Sequence, residues 1–138
     1  MTAETCILCR IAQGKVTAQT VLVTDHTIAA MNTREPQARG HVVLFPKRHV
    51  NALHEMSADE LADITNAASR LARASLLENY NLLHNAGALA GQTVFHAHFH
   101  LIPKRSEDEG LRFSWDTAAR FDQQKPFETI KRALSRGD

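Results

Sequence analysis

The chain has 138 residues, 43% of them hydrophobic and 22% charged, and a formal net charge of +1. That length fits one domain with a core of modest size. The near-neutral charge gives no electrostatic case for a nucleic-acid or acidic-membrane partner, and no basic run stands out. No stretch approaches the roughly 18 consecutive apolar residues of a membrane span, and Met1-Thr2-Ala3-Glu4 does not open like a signal peptide. The expectation is a cytoplasmic protein with neither a nucleic acid nor a membrane as partner.

Cys6-Ile7-Leu8-Cys9-Arg10-Ile11-Ala12-Gln13-Gly14 reads as a short helical turn ended by Gly14, and it holds both cysteines of the chain. Val21–Thr24 and Thr27–Met31 read as strands joined by a tight Asp25-His26 turn, a hairpin. Asn32 to Gly40, with Pro36 and little periodicity, is a loop. His41–Phe45 is a nearly continuous apolar strand closed by Pro46. Ser57 with Glu60 three residues on forms a capping box. It opens a long helix running to about Glu78, with Leu61, Ile64, Ala68 and Leu71 on its packed face. Asn81–His84 is another strand, and Asn85 to Gln92 is a flexible turn. After Arg105 the chain is charged and irregular, with a short helix after Pro126. These elements predict a single α+β domain over 1–138: an antiparallel sheet of about five strands, one long helix, a short C-terminal helix and a tail over 106–138.

The segment that carries chemistry is Thr93-Val94-Phe95-His96-Ala97-His98-Phe99-His100-Leu101-Ile102-Pro103. Polar and apolar residues alternate along it, the period of a strand. His96, His98 and His100 fall on one face; Phe95, Ala97, Phe99 and Leu101 fall on the other, toward a core. Three imidazoles in a row have no packing purpose, because strands fill such positions with β-branched and aromatic residues. Imidazole binds metals, moves protons or attacks phosphorus. Ahead of the triplet, Asn85-Ala86-Gly87-Ala88-Leu89-Ala90-Gly91-Gln92-Thr93 brings glycines, amides and a hydroxyl but no carboxylate. Exposed N–H groups of such a turn, with Asn and Thr side chains, form an anion cradle. The pairing favours phosphoryl chemistry at a nucleophilic imidazole over Lewis-acid hydrolysis, in which all three histidines would ligate a metal.

His96-Ala97-His98-Phe99-His100-Leu101-Ile102, led by Ala90-Gly91-Gln92-Thr93, resembles the histidine-triad (HIT) family in its bacterial branch. The likeness extends to Cys6-Ile7-Leu8-Cys9-Arg10-Ile11, to Gly40–His49 and to Asn85-x-Gly87, and it covers about residues 5–103. It implies a HIT-like fold and a nucleotide hydrolase or transferase acting at the α-phosphate of a nucleoside phosphate derivative, a phosphoramidate or a dinucleoside polyphosphate. His98 would be the nucleophile that forms a covalent nucleotidyl-imidazole. His100 would donate to a phosphate oxygen beside Asn85, Gly91, Gln92 and Thr93, and His96 completes the triad. The alternative is a nucleotide-binding interaction module with vestigial activity.

By the same resemblance a purine nucleoside sits near Ile7, Leu8, Ile11 and Val23, with its ribose at Asn32. Many relatives carry Asp at the ribose position, and the loop from Asn32 to His41 is one residue longer here. His41 is either a buried neighbour that holds the catalytic strand or a satisfied core histidine. Bacterial relatives with Cys-x-x-Cys imply a closed structural Zn²⁺ site of Cys6, Cys9, His49 and His96, with no metal needed for the chemistry. The cysteines read otherwise as buried thiols. Similar proteins are homodimers, and Trp115 would close over the site from a partner chain. His26, His54 and His84 receive no role, and Lys47, Arg48, Lys104 and Arg105 read as solvated.

Overall fold

The computed structural model describes residues 2–137. Its first element is a six-residue helix, α1 (Ile7–Ala12), whose N-terminus is capped by a thiol: Cys6 Sγ accepts the Cys9 N–H at 3.5 Å. Gly14 follows in the left-handed region, φ +72°, which only glycine enters freely. The hairpin forms as expected from β1 (Thr20–Val23) and β2 (Thr27–Met31). After the 32–40 loop come β3 (Val42–Pro46), the long helix α2 (Ala58–Ala74), β4 (Tyr80–His84), β5 (Phe99–Pro103) and a C-terminal helix α3 (Gln124–Ser135).

All four strand pairings are antiparallel, in the order β1-β2-β3-β5-β4. The class read from the sequence, α+β with five antiparallel strands and one long helix, is the fold observed. Helix α2 lies against β2 and β3. Ile64, Ala67, Ala68 and Ala72 meet Ala29, Leu44, Phe99 and Leu101 in a continuous core. The capping box is present in both directions: Ser57 Oγ accepts from Glu60 N and a Glu60 carboxylate oxygen accepts from Ser57 N, which stabilises the start by about 1 kcal/mol. The other end falls short of the expected Glu78. Leu76 takes φ +53° and stops the helix after Ala74, turning the chain so that Tyr80 can pair with Pro103.

Two further expectations need correction. Only Phe99–Pro103 of the alternating histidine segment joins the sheet. Upstream, the Ala97 N–H goes to the carbonyl of Val50 instead of a strand partner, and Phe95 is 37% exposed rather than buried. Arg48, read as solvated, forms a bidentate pair with the buried Glu60 at 2.7 and 2.9 Å, which holds that carboxyl below its usual pKa range.

At the C-terminal end, Glu109–Leu111 are half-buried against the body and every described residue from 112 to 137 is exposed. Helix α3 starts two residues before Pro126, which occupies its first turn, where a missing N–H costs nothing. Its apolar residues Phe127, Ile130 and Leu134 share one exposed face.

Candidate active site and metal centre

The two ends of the histidine segment lead to different places. His96 is fully buried, and its ring meets Cys6 and Cys9 from the N-terminal turn and His49 from the loop after β3. Its Nε2 lies 2.7 Å from the carbonyl oxygen of Pro46. A carbonyl only accepts, so Nε2 carries the proton and Nδ1 is the bare nitrogen. Nδ1 faces Cys6 Sγ at 3.5 Å, Cys9 Sγ at 3.4 Å and His49 Nδ1 at 3.2 Å. Cys9 Sγ is 3.2 Å from His49 Nδ1, and all four donor atoms lie within 4.8 Å of one another. Burial, then the neighbouring Cys6, pushes the Cys9 thiol up to about 11. Two thiolates there require a cation. Among the described residues this Cys₂His₂ group can bind a metal ion. The expectation that His96 shares a face with the other two histidines is not met, because the chain leaves the ladder before Phe99.

His98 and His100 open instead on a cleft of about 700 Å³ bounded also by Leu8, Asn32, Asn85, Gly91 and Thr93. His98 Nδ1 donates to the carbonyl of His96 at 2.7 Å, which leaves Nε2 with its lone pair. Burial keeps this ring neutral by lowering its pKa. Burial, reinforced by His98 and His41, pushes His100 down to about 4. His100 Nδ1 is 2.8 Å from Nε2 of the buried His41.

Of the residues expected around a nucleotide, Leu8 lines the cleft with Val43, Leu83 and Ile102, whereas Ile7, Ile11 and Val23 lie outside that lining. The glycine turn behaves differently from a main-chain cradle. The N–H groups of Gly87, Ala90, Gly91 and Gln92 are all spent inside the turn. Gln92 is the clamp that closes it. Its Oε1 accepts from Gly87 N, and its Nε2 donates to the carbonyls of Asn51 and Val94. Gly91 contributes shape: at φ +95° it leaves the Asn85 amide free, where a Cβ would sit 3.4 Å from Asn85 Nδ2. Donors that face the cleft include the side chains of Asn85, Thr93 and His100. Trp115 is 82% exposed and is not among the residues lining the cleft.

Sequence reasoning missed His84. Its Nδ1 donates to the carbonyl of His98 at 3.0 Å, its Nε2 accepts from Leu53 N at 3.1 Å, and its ring stacks on Phe99 at 4.5 Å. It braces the backbone of the residue whose Nε2 is bare. Its alternation with Leu83 was the only signal, and that does not name a carbonyl fourteen residues away.

Comparison with known proteins adds independent lines. Residues 14–107 match the HIT domain family. Adenosine 5'-monophosphoramidase HNT1 of Saccharomyces cerevisiae is 40% identical over 110 residues, 80% of this chain and 69% of that protein. The crystal structure of a histidine triad nucleotide-binding protein from Candida albicans superposes with TM-score 0.87 at 34% identity, covering 97% of this chain and 100% of the other. A Zn-bound histidine triad family protein from Mycobacterium smegmatis gives TM-score 0.73 at 28% identity, covering 98% and 96%.

Proposed function

The chain belongs to the HIT family, and on that premise we propose that it hydrolyses a purine nucleoside 5'-phosphoramidate through a covalent nucleotidyl intermediate on His98. The observation that carries this reading is the bare Nε2 of a neutral His98, fixed by the Nδ1–H bond to the His96 carbonyl, at the wall of the cleft. In the first step the Nε2 lone pair attacks the α-phosphorus. The bond from phosphorus to the leaving amine breaks, and the amine departs with a proton taken from the medium. In the second step water attacks phosphorus and gives up a proton, the P–N bond to His98 breaks, and the nucleoside monophosphate leaves. Two displacements each replace a poor nucleophile–leaving group pair by a better one. Charge growing on the non-bridging oxygens would be met by donors from Asn85, Thr93 and His100. Leu8 and Val43 offer the base an apolar wall, and Asn32 offers the ribose an acceptor.

We assign the Cys₂His₂ group to a structural zinc ion. Donor atoms around tetrahedral zinc, with bonds of about 2.0–2.3 Å, stand about 3.3–3.8 Å apart; four of the six donor–donor distances among Cys6, Cys9, His49 and His96 run from 3.2 to 3.5 Å, and all lie within 4.8 Å. The Pro46 carbonyl on His96 Nε2 is the outer partner that orients a ligating imidazole. The ion would cross-link the N-terminal turn to the catalytic segment, and its chemistry ends there.

A homodimer in the cytoplasm completes the reading, with residues 1–138 as one domain. The dimer is supported by the exposed apolar stripe of α3 and by Tyr80 and Leu82 on the edge strand β4. Light scattering at micromolar concentration should return twice the chain mass; a monomer would sink this part. For the activity, adenosine 5'-phosphoramidate should be turned over in the presence of chelator. Intact mass should reveal an adduct of one nucleotidyl group, absent from His98→Ala. Nucleotide binding without any turnover would favour a binding module instead.

A further inference from the structure

A tail is expected from residue 106 onward, yet its first turn is bound to the loop beside the cleft. Ser106 and Glu109 form an antiparallel bridge that folds the segment back on itself. Arg105 Nη1 donates to the Arg39 carbonyl at 3.1 Å. The Glu109 carboxylate accepts the Arg39 N–H and lies 3.7 Å from Arg39 Nε. The Gly110 N–H donates to the Gln37 carbonyl at 2.8 Å. Both main-chain groups of Arg39 and the carbonyl of Gln37 are thus held by residues 105–110. The same loop reaches the histidines, because the Gln37 N–H donates to His41 Nδ1 at 3.0 Å.

This strap delivers a side chain. Gly110 takes φ +99°, and a Cβ there would stand 2.7 Å from the Pro103 carbonyl oxygen and 2.8 Å from Lys104 Cδ. Only glycine lets the chain pass so close to the end of β5. The next residue, Leu111, is half-buried and lines the cleft with Asn32, Gln37 and Ile102.

Strand register says which end of the cleft that is. Val42 pairs with Leu101, so His41 is level with Ile102. Asn32 is on that level too, since its N–H donates to the His41 carbonyl at 2.8 Å. Gly110 abuts Pro103, the neighbour of Ile102, and brings Leu111 to the same end. His98 lies four residues back along the chain, about 13 Å away at ~3.3 Å per residue. Leu111 therefore stands with Asn32, far from the nitrogen that would attack phosphorus.

We propose that Leu111 is a specificity-determining residue: an apolar wall, held in place by the 105–110 strap, against which the nucleoside of a bound nucleotide packs. The proposal rests on the nucleotide reading above, which puts the ribose at Asn32. A contact so remote from the reacting phosphorus is made alike in the ground and transition states, so it acts on binding and not on the chemical step.

The test measures AMP binding by calorimetry in the full chain. Leu111→Ala should raise the dissociation constant by about 10-fold, the scale of an apolar contact in a binding pocket. Glu109→Ala, which removes the acceptor of the Arg39 N–H without touching the cleft, should weaken binding by roughly 3–10-fold on the same scale. Glu109→Gln keeps an acceptor oxygen and should recover most of the affinity. With adenosine 5'-phosphoramidate, Leu111→Ala should raise KM by the factor seen for AMP and lower kcat less. Melting temperatures near wild type separate lost contact from lost fold. Wild-type affinity in Leu111→Ala overturns the proposal, as does a fall in kcat with KM unchanged; wild-type affinity in Glu109→Ala overturns the part given to the strap. No binding of AMP by the wild type is a failure of the nucleotide reading and takes the proposal with it. AMP binding that depends on Leu111, without phosphoramidate turnover, sustains the proposal and counts against that substrate alone.

Discussion

His96 and His98 stand two positions apart, are both withdrawn from water and carry the same side chain, yet they are opposite reagents. His96 gives its Nε2 proton to the Pro46 carbonyl and turns Nδ1 to two thiols and His49. His98 gives its Nδ1 proton to the His96 carbonyl and keeps Nε2 bare at the cleft. The identity of the residue decides nothing here; the carbonyl within reach of each ring decides which nitrogen is left to act. In the proposed reading one imidazole is a ligand and the other a nucleophile.

The sharpest way to break this pairing is to remove one ring and ask whether the other notices. His98→Ala should cost at least ~10⁴-fold in turnover, as loss of a covalent nucleophile does, with metal content and melting temperature near wild type. His96→Ala should do the reverse in kind, abolishing stoichiometric metal by elemental analysis. Next in size, Cys9→Ser should lose the ion and lower the melting temperature by roughly 10 °C, the scale of a few kcal/mol for a chain of this size. Initial rates measured on the still-folded fraction should fall far less. Equal losses of metal and rate in both variants would merge the two regions into one site.

A pH series sharpens the cleft side. The His100 pKa is depressed from 6.5 to about 4. The unfolded chain therefore binds the extra proton first, and the stabilisation is complete above pH 6.5 and lost as pH falls toward 4. His100→Gln should flatten the fall in melting temperature across that window, and a parallel curve would refute the burial argument. The smallest expected effect is at His84. His84→Leu, which frees the His98 carbonyl, should lower kcat by about 3–10-fold, consistent with one lost neutral hydrogen bond of ~1 kcal/mol; His84→Gln, able to donate and accept, should recover most of it.

Much of the architecture was legible because its signals are local. Ser57 and Glu60 announce their helix within four residues, Gly14 ends α1, and the 20–31 hairpin follows from two β-rich runs around Asp25-His26. The alternation through His98 and His100 points both rings at one space for the same reason. It fails at His96 because register is settled by the neighbour: β3 ends in Pro46, which has no N–H to give, and the Val50 carbonyl captures Ala97. The end of α2 was misjudged since no proline or glycine marks Leu76. Gln92 as a clamp and His84 as a brace were out of reach altogether. Each depends on a polar atom brought close by folding from elsewhere in the sequence.

The ring of His41, which contacts His100, takes its tautomer from a peptide N–H, that of Gln37 donating to Nδ1. Nineteen of the genetically encoded residues supply the same atom, so substitution there leaves it in place, and proline alone deletes it. A saturation scan would score position 37 as permissive apart from a single intolerant column. Drift could rewrite this residue freely while selection preserved its amide, and a catalogue of invariant side chains would pass over the group that decides which nitrogen of His41 is bare.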